Sequence, residues 1–429
     1  MRIFIWHGYL LSGTGSNEYT RALARTLAQQ GHDVVVFCQD DGAGQDVGGA
    51  RVVRPTLPGR LPVFVLDRYE GMEAALLTRM ARAEVQEFVA ANVAAIKSAG
   101  AADLLICNHV LLGGPVGQAS GLPFVVKAHG SELEYAMRGN EQLCRWASES
   151  LRGAGAVIAG SEHIESVVAD LVDVDPALVH VIPPGVDTRV MKPQPPGEAL
   201  DQLLAEAERD LPNPVDYHNE RLPDQGNASR LAAFLEPVAA GAGLDQPLVV
   251  YVGKLSEEKG VSLLLESLAD PRLDGVRAAI VGFGPARRDL EEQARALGVP
   301  ALFTGPLQHR HLCHLWPLAS ASVVPSVFPE AFGMVAAEAA ACGCPPLVAR
   351  HSGLAEIAEG LEAHLRQGLR LVSFDSGDLD SLRGHLAAVI NLPPQDRADF
   401  RDACRATAVD LWSWGSVARR ITELAPTPS

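Results

Sequence analysis

The sequence lacks the features that mark membrane-spanning and nucleic-acid-binding proteins. Its 429 residues contain no uncharged apolar run of the roughly 18 residues that a membrane-spanning helix needs. They contain no cluster of five or more Lys and Arg residues, and the formal net charge is −16. Because binding to nucleic-acid phosphates depends on basic patches, we expect no nucleic-acid partner. Strong docking to an anionic membrane is disfavoured for the same reason, and a local contact with a membrane surface stays open.

A second close pair of cysteines, which a four-cysteine zinc site would need, is also absent. The seven cysteines are odd in number and scattered, and only Cys342 and Cys344 lie close together. A single close pair cannot complete a four-ligand zinc site. No secretory leader is visible, because the first apolar stretch, Arg2–Trp6, is too short for the core of a signal peptide. We therefore expect reduced thiols and a cytoplasmic protein.

Apolar residues make up 47% of the chain, which is enough for two or three domains. Short apolar runs alternate with helical patterns in the first half, and the alternation restarts at Pro247. This βαβ pattern predicts two doubly wound, Rossmann-like α/β domains that face each other across a cleft. The boundaries predicted are 1–188, an acidic and Pro-rich linker or insertion over 189–246, a second domain over 247–395, and a C-terminal helix over 396–429.

A glycine-rich turn follows the first strand. Gly13 and Gly15 would let backbone amides approach a ligand, and the next helix begins with a field that favours phosphate. The spacing does not match G-x-G-x-x-G, because position 18 is Glu. The alternative is a tight strand-to-helix turn without a ligand. The turn Gly282-Phe283-Gly284-Pro285 lacks the third glycine as well, which disfavours a nicotinamide cofactor.

The stretch from 325 to 357 carries two carboxylates at a strand-to-helix turn. Glu330 precedes a helix predicted to start near Phe332, where unpaired amides and the helix dipole favour an anionic ligand. Glu338 lies about two turns along that helix. The pair could contact two ends of an elongated ligand. Alternatively, Glu330 caps the helix and Glu338 is a packed or solvated side chain.

Lysine and histidine side chains stand at other predicted strand ends. Lys254 and Lys259 lie between a strand and a helix, where ammonium groups could neutralise a diphosphate, or they are solvated surface lysines. His129 ends a strand, where it could bind a ligand or serve as a structural hydrogen-bonding group. The pair Asp173 and Asp175 follows a helix and precedes Pro176, so we interpret it as a turn and not as a metal-nucleotide signature.

These motifs together resemble the retaining glycosyltransferases of family 4, which have the GT-B fold. The resemblance rests on E-A-F-G-x4-E from Glu330 to Glu338, G-K-L-S-E-E-K-G at 253–260, A-H-G at 128–130 and I-P-P-G-V-D at 182–187. It extends from Gly13 to Ile357 in family order. Position 254 usually carries Arg in the family, and Lys keeps the charge but loses the bidentate fork.

The resemblance implies a nucleotide-sugar site in the second domain and an acceptor side in the first. The catalytic residues implied are His129, Glu330 and Lys259. The donor-binding residues implied are Gly15, Lys254, Lys259, Leu307, Phe332, Gly333, Met334, Val335 and Glu338. Glu330 and His129 would face the sugar, Glu338 the ribose, and the backbone near Leu307 the base. No metal and no other cofactor is expected.

The reaction expected is transfer of a hexose-type sugar, with retention, from a nucleoside-diphosphate sugar to a hydroxyl acceptor. The acceptor could be a small molecule, a glycan or a lipid-linked group, and the oligomeric state stays open. A sugar-nucleotide epimerase or a catalytically silent nucleotide-sugar-binding protein would share much of the pattern. The segment 193–247 is longer than usual in the family. It could be a lid, a helical insertion or a partly disordered stretch. We expect it to contribute little to either core and to lie over or beside the acceptor side of the cleft.

Overall fold

The computed structural model describes residues 1–11, 15–40, 46–65, 72–211, 224, 226–241 and 246–425. The chain divides into two units. Met1–Gly185 and Trp414–Ser429 form the first unit, and Val186–Ser413 forms the second. Within the described ranges, no helix is both long and apolar enough to cross a membrane.

The first unit is built on a parallel sheet with helices on both faces. Its strand order is β3-β2-β1-β6-β7-β8-β9, and β4 pairs with β5 separately. The strands are β1 Arg2–Trp6, β2 Asp33–Phe37, β3 Arg51–Val53, β4 Leu61–Val63, β5 Ala74–Leu76, β6 Leu104–Asn108, β7 Phe124–Lys127, β8 Ala156–Ala159 and β9 Val179–Val181. The helices are α1 Gly15–Gln29, α2 Arg82–Ser98, α3 Val110–Ser120, the short turn α4 Gly130–Glu132, α5 Glu141–Ser150 and α6 Glu162–Leu171.

The second unit has its own parallel sheet in the order β12-β11-β10-β13-β14-β15, the doubly wound order of a Rossmann fold. The strands are β10 Leu248–Val252, β11 Arg277–Val281, β12 Ala301–Gly305, β13 Ala321–Val324, β14 Pro346–Ala349 and β15 Ser373–Phe374. The helices are α7 Pro196–Ala207, α8 Asn227–Ala240, α9 Val261–Leu268, α10 Arg287–Leu297, α11 His309–Leu315, α12 Met334–Ala341, α13 Ser352–Glu362, α14 Leu379–Ile390 and α15 Pro394–Trp412.

The central strands have continuous apolar sequences because both faces of each sheet are covered. Ile3, Phe4, Ile5 and Trp6 of β1 are all fully buried. β1 pairs in register with β2 on one side and β6 on the other, so that Trp6 lies opposite Phe37 and Cys107. Strand β10 is buried in the same way and lies in the core of the second unit.

The amphipathic sequence from Asp67 to Ser98 predicts one or two helices, and the structure contradicts this prediction in part. Ala74–Leu76 is strand β5, which pairs in parallel with Leu61–Val63, and helix α2 begins only at Arg82. An apolar stretch this short fits a strand or a helix equally well, and the pairing with β4 decided between them. Residues 66–71 lie outside the described residues.

The structure of the segment 189–246 differs most from what the sequence predicts. It carries helices α7 and α8, and Leu203, Leu231 and Leu235 are fully buried in the core of the second unit. The expectation that it contributes little to either core was therefore wrong. Among its described prolines, Pro195 and Pro196 lie at the start of α7 and Pro237 lies inside α8, so these three do not prevent helix formation.

The C-terminal stretch is divided between the units. Helix α15 ends at Trp412 in the second unit, and α16, Trp414–Thr422, belongs to the first. Trp414, Val417, Ala418 and Ile421 are buried with residues of α1 and β1. The ring of Trp414 lies 5.2 Å from that of Tyr19. A Cβ at Gly185 would lie 2.5 Å from this indole, so glycine is required there.

Candidate active site

The topology of the second sheet predicts a ligand site between β10 and β13. The chain leaves these two neighbouring strands in opposite directions, and ligands of open α/β sheets bind beyond the carboxyl ends of such strands. Lys259 follows β10 and Glu330 follows β13. Lys259 Nζ lies 2.5 Å from Glu330 Oε1, and the side chains are 29% and 23% exposed. Two residues predicted from separate motifs thus meet at this point.

A close backbone contact holds the lysine turn against the loop that carries Glu330. Glu257–Lys259 form one 3-10 turn, and Gly260 follows with a φ of +67°. A Cβ at Gly260 would lie 2.0 Å from the Pro325 carbonyl oxygen. A larger residue would therefore separate the two loops. The amide of Val327 also donates to the Glu258 carbonyl over 2.9 Å.

The backbone of Glu330 is held by the loop that follows β14. The Glu330 amide donates to Ser352 Oγ over 2.9 Å, and the Gly353 amide donates to the Glu330 carbonyl over 3.0 Å. Ser352 has a φ of +45°, an unusual value for a residue with a side chain. Such backbone strain clusters at functional sites. The sequence alone indicated no role for residues 351–353.

Helix α12 begins at Met334, two residues later than predicted. Gly333 precedes it with a φ of +110°, and a Cβ there would lie 2.7 Å from Leu354 Cδ2. The first helical hydrogen bonds run from Ala336 and Ala337 to the Gly333 carbonyl. The amides of Met334 and Val335 therefore belong to the first turn, whose dipole favours an anion.

Glu338 lies further along α12 and is buried. Its Oε1 atom lies 3.0 Å from Nε2 of His309, the first residue of α11 and 54% exposed. The predicted base-reading residue Leu307 lies two positions before His309 and is partly buried against the core of this unit. Glu338 is therefore tied directly to the loop after β12, which the spacing of the motifs did not show.

The other residues predicted to bind the nucleotide-sugar donor differ in accessibility. Lys254 is exposed, and its carbonyl accepts the Tyr251 hydroxyl over 2.8 Å. Burial raises the pKa of Tyr251, and the charge of Glu330 raises it further. Phe332 is buried, with its ring 6.1 Å from the ring of Trp412. The side chain of Phe332 therefore belongs to the core, and only its backbone is available to a nucleotide-sugar donor.

In the first unit, His129 follows β7 at the carboxyl edge of the sheet. His129 Nε2 lies 2.8 Å from Asn108 Oδ1, and the ring lies 4.6 Å from that of His109. Burial holds the pKa of His129 well below its ordinary value, and the charges of His109 and Lys127 act in the same direction. His129 is therefore a neutral hydrogen-bonding group at neutral pH.

A buried carboxylate organises the residues around His129. Glu132 Oε1 accepts the His129 amide over 2.7 Å, and Oε2 lies 3.0 Å from His109 Nδ1. His109 has a φ of +66° and is 2% exposed. His7 lies nearby, with its ring 5.9 Å from that of His109, and burial lowers its pKa to about 3.

Lys127 ends β7 and is almost fully buried. Its Nζ atom lies 3.5 Å from the Ile182 carbonyl and 5.5 Å from the centre of the Tyr19 ring. Burial lowers its pKa to about 7, and Glu132 opposes this shift. Because lysine is rarely buried in this way, Lys127 is an unusual feature of this strand end.

Sequence reasoning missed several residues that the structure brings to these sites. Each one directly ends or follows a strand, or begins a helix, which is the signal that identified His129. They are His7, Asn108, His109, Lys127, His309 and Ser352. The topology was needed to show which strand ends lie next to one another.

The glycine-rich turn and the pair Asp173 and Asp175 were also singled out in the sequence. Gly15 is the first residue of α1, and a Cβ there would meet no described atom within 4 Å. The space beside it is therefore open, whereas Gly13 lies outside the described residues. Asp175 caps the 3-10 turn Pro176–Leu178, where its side chain accepts the Ala177 amide over 3.0 Å. No group of three metal-ligating side chains occurs in the part of the chain that the structure describes.

Comparison with known proteins defines the class. Two solved structures share the fold: the crystal structure of HepE from Anabaena in complex with UDP and glucose, and a structure of sucrose-phosphate synthase from Thermosynechococcus elongatus. Their TM-scores are 0.67 and 0.65, at 19% and 20% identity, and each covers 99% of this chain. The alignments cover 99% and 98% of those chains. The two units thus form a two-domain α/β enzyme fold of the GT-B type.

Sequence comparison gives the family. A model described as "Glycosyl transferase 4-like domain" matches residues 14–185, and one described as "Glycosyl transferases group 1" matches residues 236–407. D-inositol 3-phosphate glycosyltransferase of Frankia alni is 28% identical over 82% of this chain and 82% of its own. Alpha-maltose-1-phosphate synthase of Mycolicibacterium smegmatis is 26% identical over 71% of this chain and 73% of its own. The chain belongs to the family 4 glycosyltransferases and is a glycosyltransferase enzyme.

Proposed function

We propose that this enzyme transfers a hexose-type sugar, with retention and without a metal, from a nucleoside-diphosphate sugar to a hydroxyl acceptor. One observation carries the proposal. The Lys259–Glu330 pair lies at the point where β10 and β13 diverge, next to the first turn of α12. Such a place offers a positive group and helix amides for a diphosphate, with a carboxylate beside them for the sugar.

The chemistry that follows is mainly electrostatic. Breaking the bond to the sugar leaves negative charge on the nucleoside diphosphate, and preorganised positive groups lower the barrier by stabilising that charge. We assign this role to Lys259, to Lys254 and to the amides of the first turn of α12, with Gly15 assigned to the same diphosphate. Glu330 is assigned to the sugar, which gains positive character as the bond breaks.

The remaining assignments follow the resemblance to the family, and the contacts of His129 and Glu338 are compatible with them. His129 is neutral and hydrogen-bonded to Asn108, so it can orient the sugar or the breaking bond without adding charge. Glu338 is assigned to the ribose hydroxyls, which would share the carboxylate with His309. The backbone near Leu307 is assigned to the base.

The relatives suggest which acceptors to test first. Several of them are named D-inositol 3-phosphate glycosyltransferase. The crystal structures of HepE were obtained with UDP, with UDP-glucose, and with UDP and glucose. Phosphorylated polyols are therefore the first class of acceptor to test, and UDP-sugars are the first class of donor.

The experiment is a thermal-shift panel of UDP-, GDP-, ADP- and TDP-sugars, followed by product analysis with the donor that stabilises the protein. A ligand at 100 times its dissociation constant adds about 2.7 kcal/mol to the free energy of unfolding. NMR of the product would give the anomeric configuration, and we expect that of the donor. Activity should survive EDTA.

Four results would contradict the proposal. A product of inverted configuration would refute retention. Loss of activity in EDTA, with recovery in Mg²⁺ or Mn²⁺, would refute metal independence. Conversion of the donor to a new nucleotide sugar in the absence of acceptor would favour an epimerase, and binding without any turnover would favour a silent binding protein.

A further inference from the structure

Two charged clusters of the second unit lie on either side of the loop that follows β12. Residues 305–309 of this loop contain Leu307, the proposed base-reading position, and His309, the partner of Glu338. Both clusters include residues of the segment 189–246. This segment was expected on the acceptor side, but its described part packs into the second unit.

The first cluster holds the start of the loop. Asp224 Oδ1 and Oδ2 accept Arg287 Nη1 and Nη2 over 3.0 and 2.5 Å, and Oδ2 also accepts Arg230 Nη1 over 3.0 Å. Arg230 and Arg287 also donate to the Phe303 carbonyl, over 2.9 and 3.4 Å. A Cβ at Gly305 would lie 2.8 Å from Asp224 Oδ1, so the carboxylate packs directly on the loop backbone.

The second cluster holds the end of the loop, where α11 begins. Asp210 pairs with Arg310 through Nη2 and lies 2.9 Å from His311 Nε2. Arg310 Nη1 also lies 2.8 Å from Glu206 Oε2. His311 is fully buried and the Asp210 side chain is 5% exposed. These contacts fix the two residues that directly follow His309.

The side chains of Asp210, Asp224 and Arg287 are largely withdrawn from water, whereas those of Arg230 and Arg310 are 40% and 37% exposed. Removal of one partner of the Asp224–Arg287 pair therefore matters more than at a surface pair. The Asp224 side chain is 17% exposed and that of Arg287 is 13% exposed. Burial would raise the pKa of Asp224, but the hydrogen bonds and charge of Arg287 outweigh this effect and lower it. Asp224 is therefore a carboxylate at neutral pH.

We propose that Asp224 and Asp210 are positioning residues that hold loop 305–309 in the conformation needed to bind the nucleotide of the donor. This inference rests on the proposed function, because that function assigns the loop to the base and Glu338 to the ribose. The segment 189–246 then acts on donor binding, and not on the choice of acceptor. Asp224 and Asp210 touch no substrate in this scheme and act only through the loop.

The test compares Asp224→Asn with Asp270→Asn in the full-length protein. Asp270 makes a bidentate pair with Arg272, with both distances 2.9 Å, so the same change removes the same kind of interaction. It lies before β11, at the amino edge of the sheet and away from the loop. We expect the donor KM of Asp224→Asn to rise about tenfold, which corresponds to about 1.4 kcal/mol, while the acceptor KM stays within twofold of wild type. Asp270→Asn should leave both constants unchanged.

A double-mutant cycle separates positioning from general loss of stability. Arg287→Gln alone should raise the donor KM by a similar factor, and the double variant should be no worse than either single one, because the two groups act as one unit. Additive effects would overturn the proposal. So would an unchanged donor KM in Asp224→Asn, or an equal rise in the acceptor KM.

A second measurement does not depend on the reaction. Hydrogen exchange of ligand-free protein should be faster at residues 305–309 in Asp224→Asn than in wild type or Asp270→Asn. Unchanged exchange there would overturn the positioning role even if catalysis were confirmed. If the wild-type protein bound no nucleoside diphosphate, the proposed function would fail, and the exchange result would still decide whether Asp224 positions the loop.

Discussion

Replacement of Lys259 by Ala should damage catalysis far more than it damages folding. Two unit charges 4 Å apart attract by about 4 kcal/mol at an effective dielectric constant of 20. Desolvation and lost side-chain entropy offset most of this energy. Since Lys259 and Glu330 are 29% and 23% exposed, we expect their net contribution to the unfolding free energy to be at most about 1 kcal/mol.

The catalytic loss should be larger because Lys259 is assigned to the charge that develops on the leaving diphosphate. Removal of one preorganised group of this kind raises the barrier by about 2.7–4 kcal/mol, or about 100- to 1,000-fold in turnover. The assays are steady-state kinetics with varied donor, calorimetric titration with the nucleoside diphosphate, and urea unfolding of the same preparations.

The matched control is Lys192→Ala, which removes an exposed lysine of the same unit. It should leave turnover, nucleotide affinity and stability unchanged. The reasoning about Lys259 would be refuted if donor affinity and turnover of Lys259→Ala stayed within a factor of two of wild type. It would also fail if the unfolding free energy fell by several kcal/mol, because the activity loss would then reflect unfolding.

Three further predictions test other parts of the structure. Glu330→Gln should lower turnover by orders of magnitude at unchanged nucleotide affinity, measured by kinetics and calorimetry, because it removes the charge that we assign to the sugar. Unchanged turnover would reduce Glu330 to a helix-capping role. Leu203→Ala should cost about 2–5 kcal/mol in urea unfolding because Leu203 is fully buried, whereas Leu211→Ala, at a 75% exposed position, should stay within about 0.5 kcal/mol; equal effects would contradict the packing of α7. Burial lowers the pKa of His7 to about 3, so the unfolded state binds a proton that the folded state does not, and stability is lost as the pH falls from about 6.5 toward 3. His7→Asn should flatten this acid slope in urea midpoints measured between pH 4 and 7, and an unchanged slope would show that other groups cause it.

The sequence alone was sufficient for the class of fold and for the kinds of residues in the candidate site. Strands buried on both faces have continuous apolar sequences, and amphipathic helices alternate with them, so the pattern predicts doubly wound sheets. Residues at strand ends and helix starts could be selected because that is where parallel sheets bind ligands. Glu330, Lys259 and His129 lie at such positions, and the resemblance of their motifs to the family selected them over structural alternatives.

Local sequence was less informative where one segment satisfied two interpretations. Ala74–Leu76 fits a helix or a strand, and only its pairing with Leu61–Val63 decided the outcome. Helix α7 was missed because prolines and acidic residues suggested a linker. Its buried side chains face a core assembled from β10 and the other strands of the second unit, and local composition does not reveal such a partner.

Contacts between residues far apart in the sequence were decided only by the tertiary structure. Lys259 and Glu330 are 71 positions apart, and His309 and Glu338 are 29 positions apart. Each pair meets because the strand order of the second sheet brings two strand ends or their following helices together. Asp224 and Arg287 are 63 positions apart, and they meet at the end of β12, where the Asp224 amide donates to the Thr304 carbonyl. Hydrophobic periodicity specifies which face of an element is buried, but strand order depends on the packing of the whole sheet.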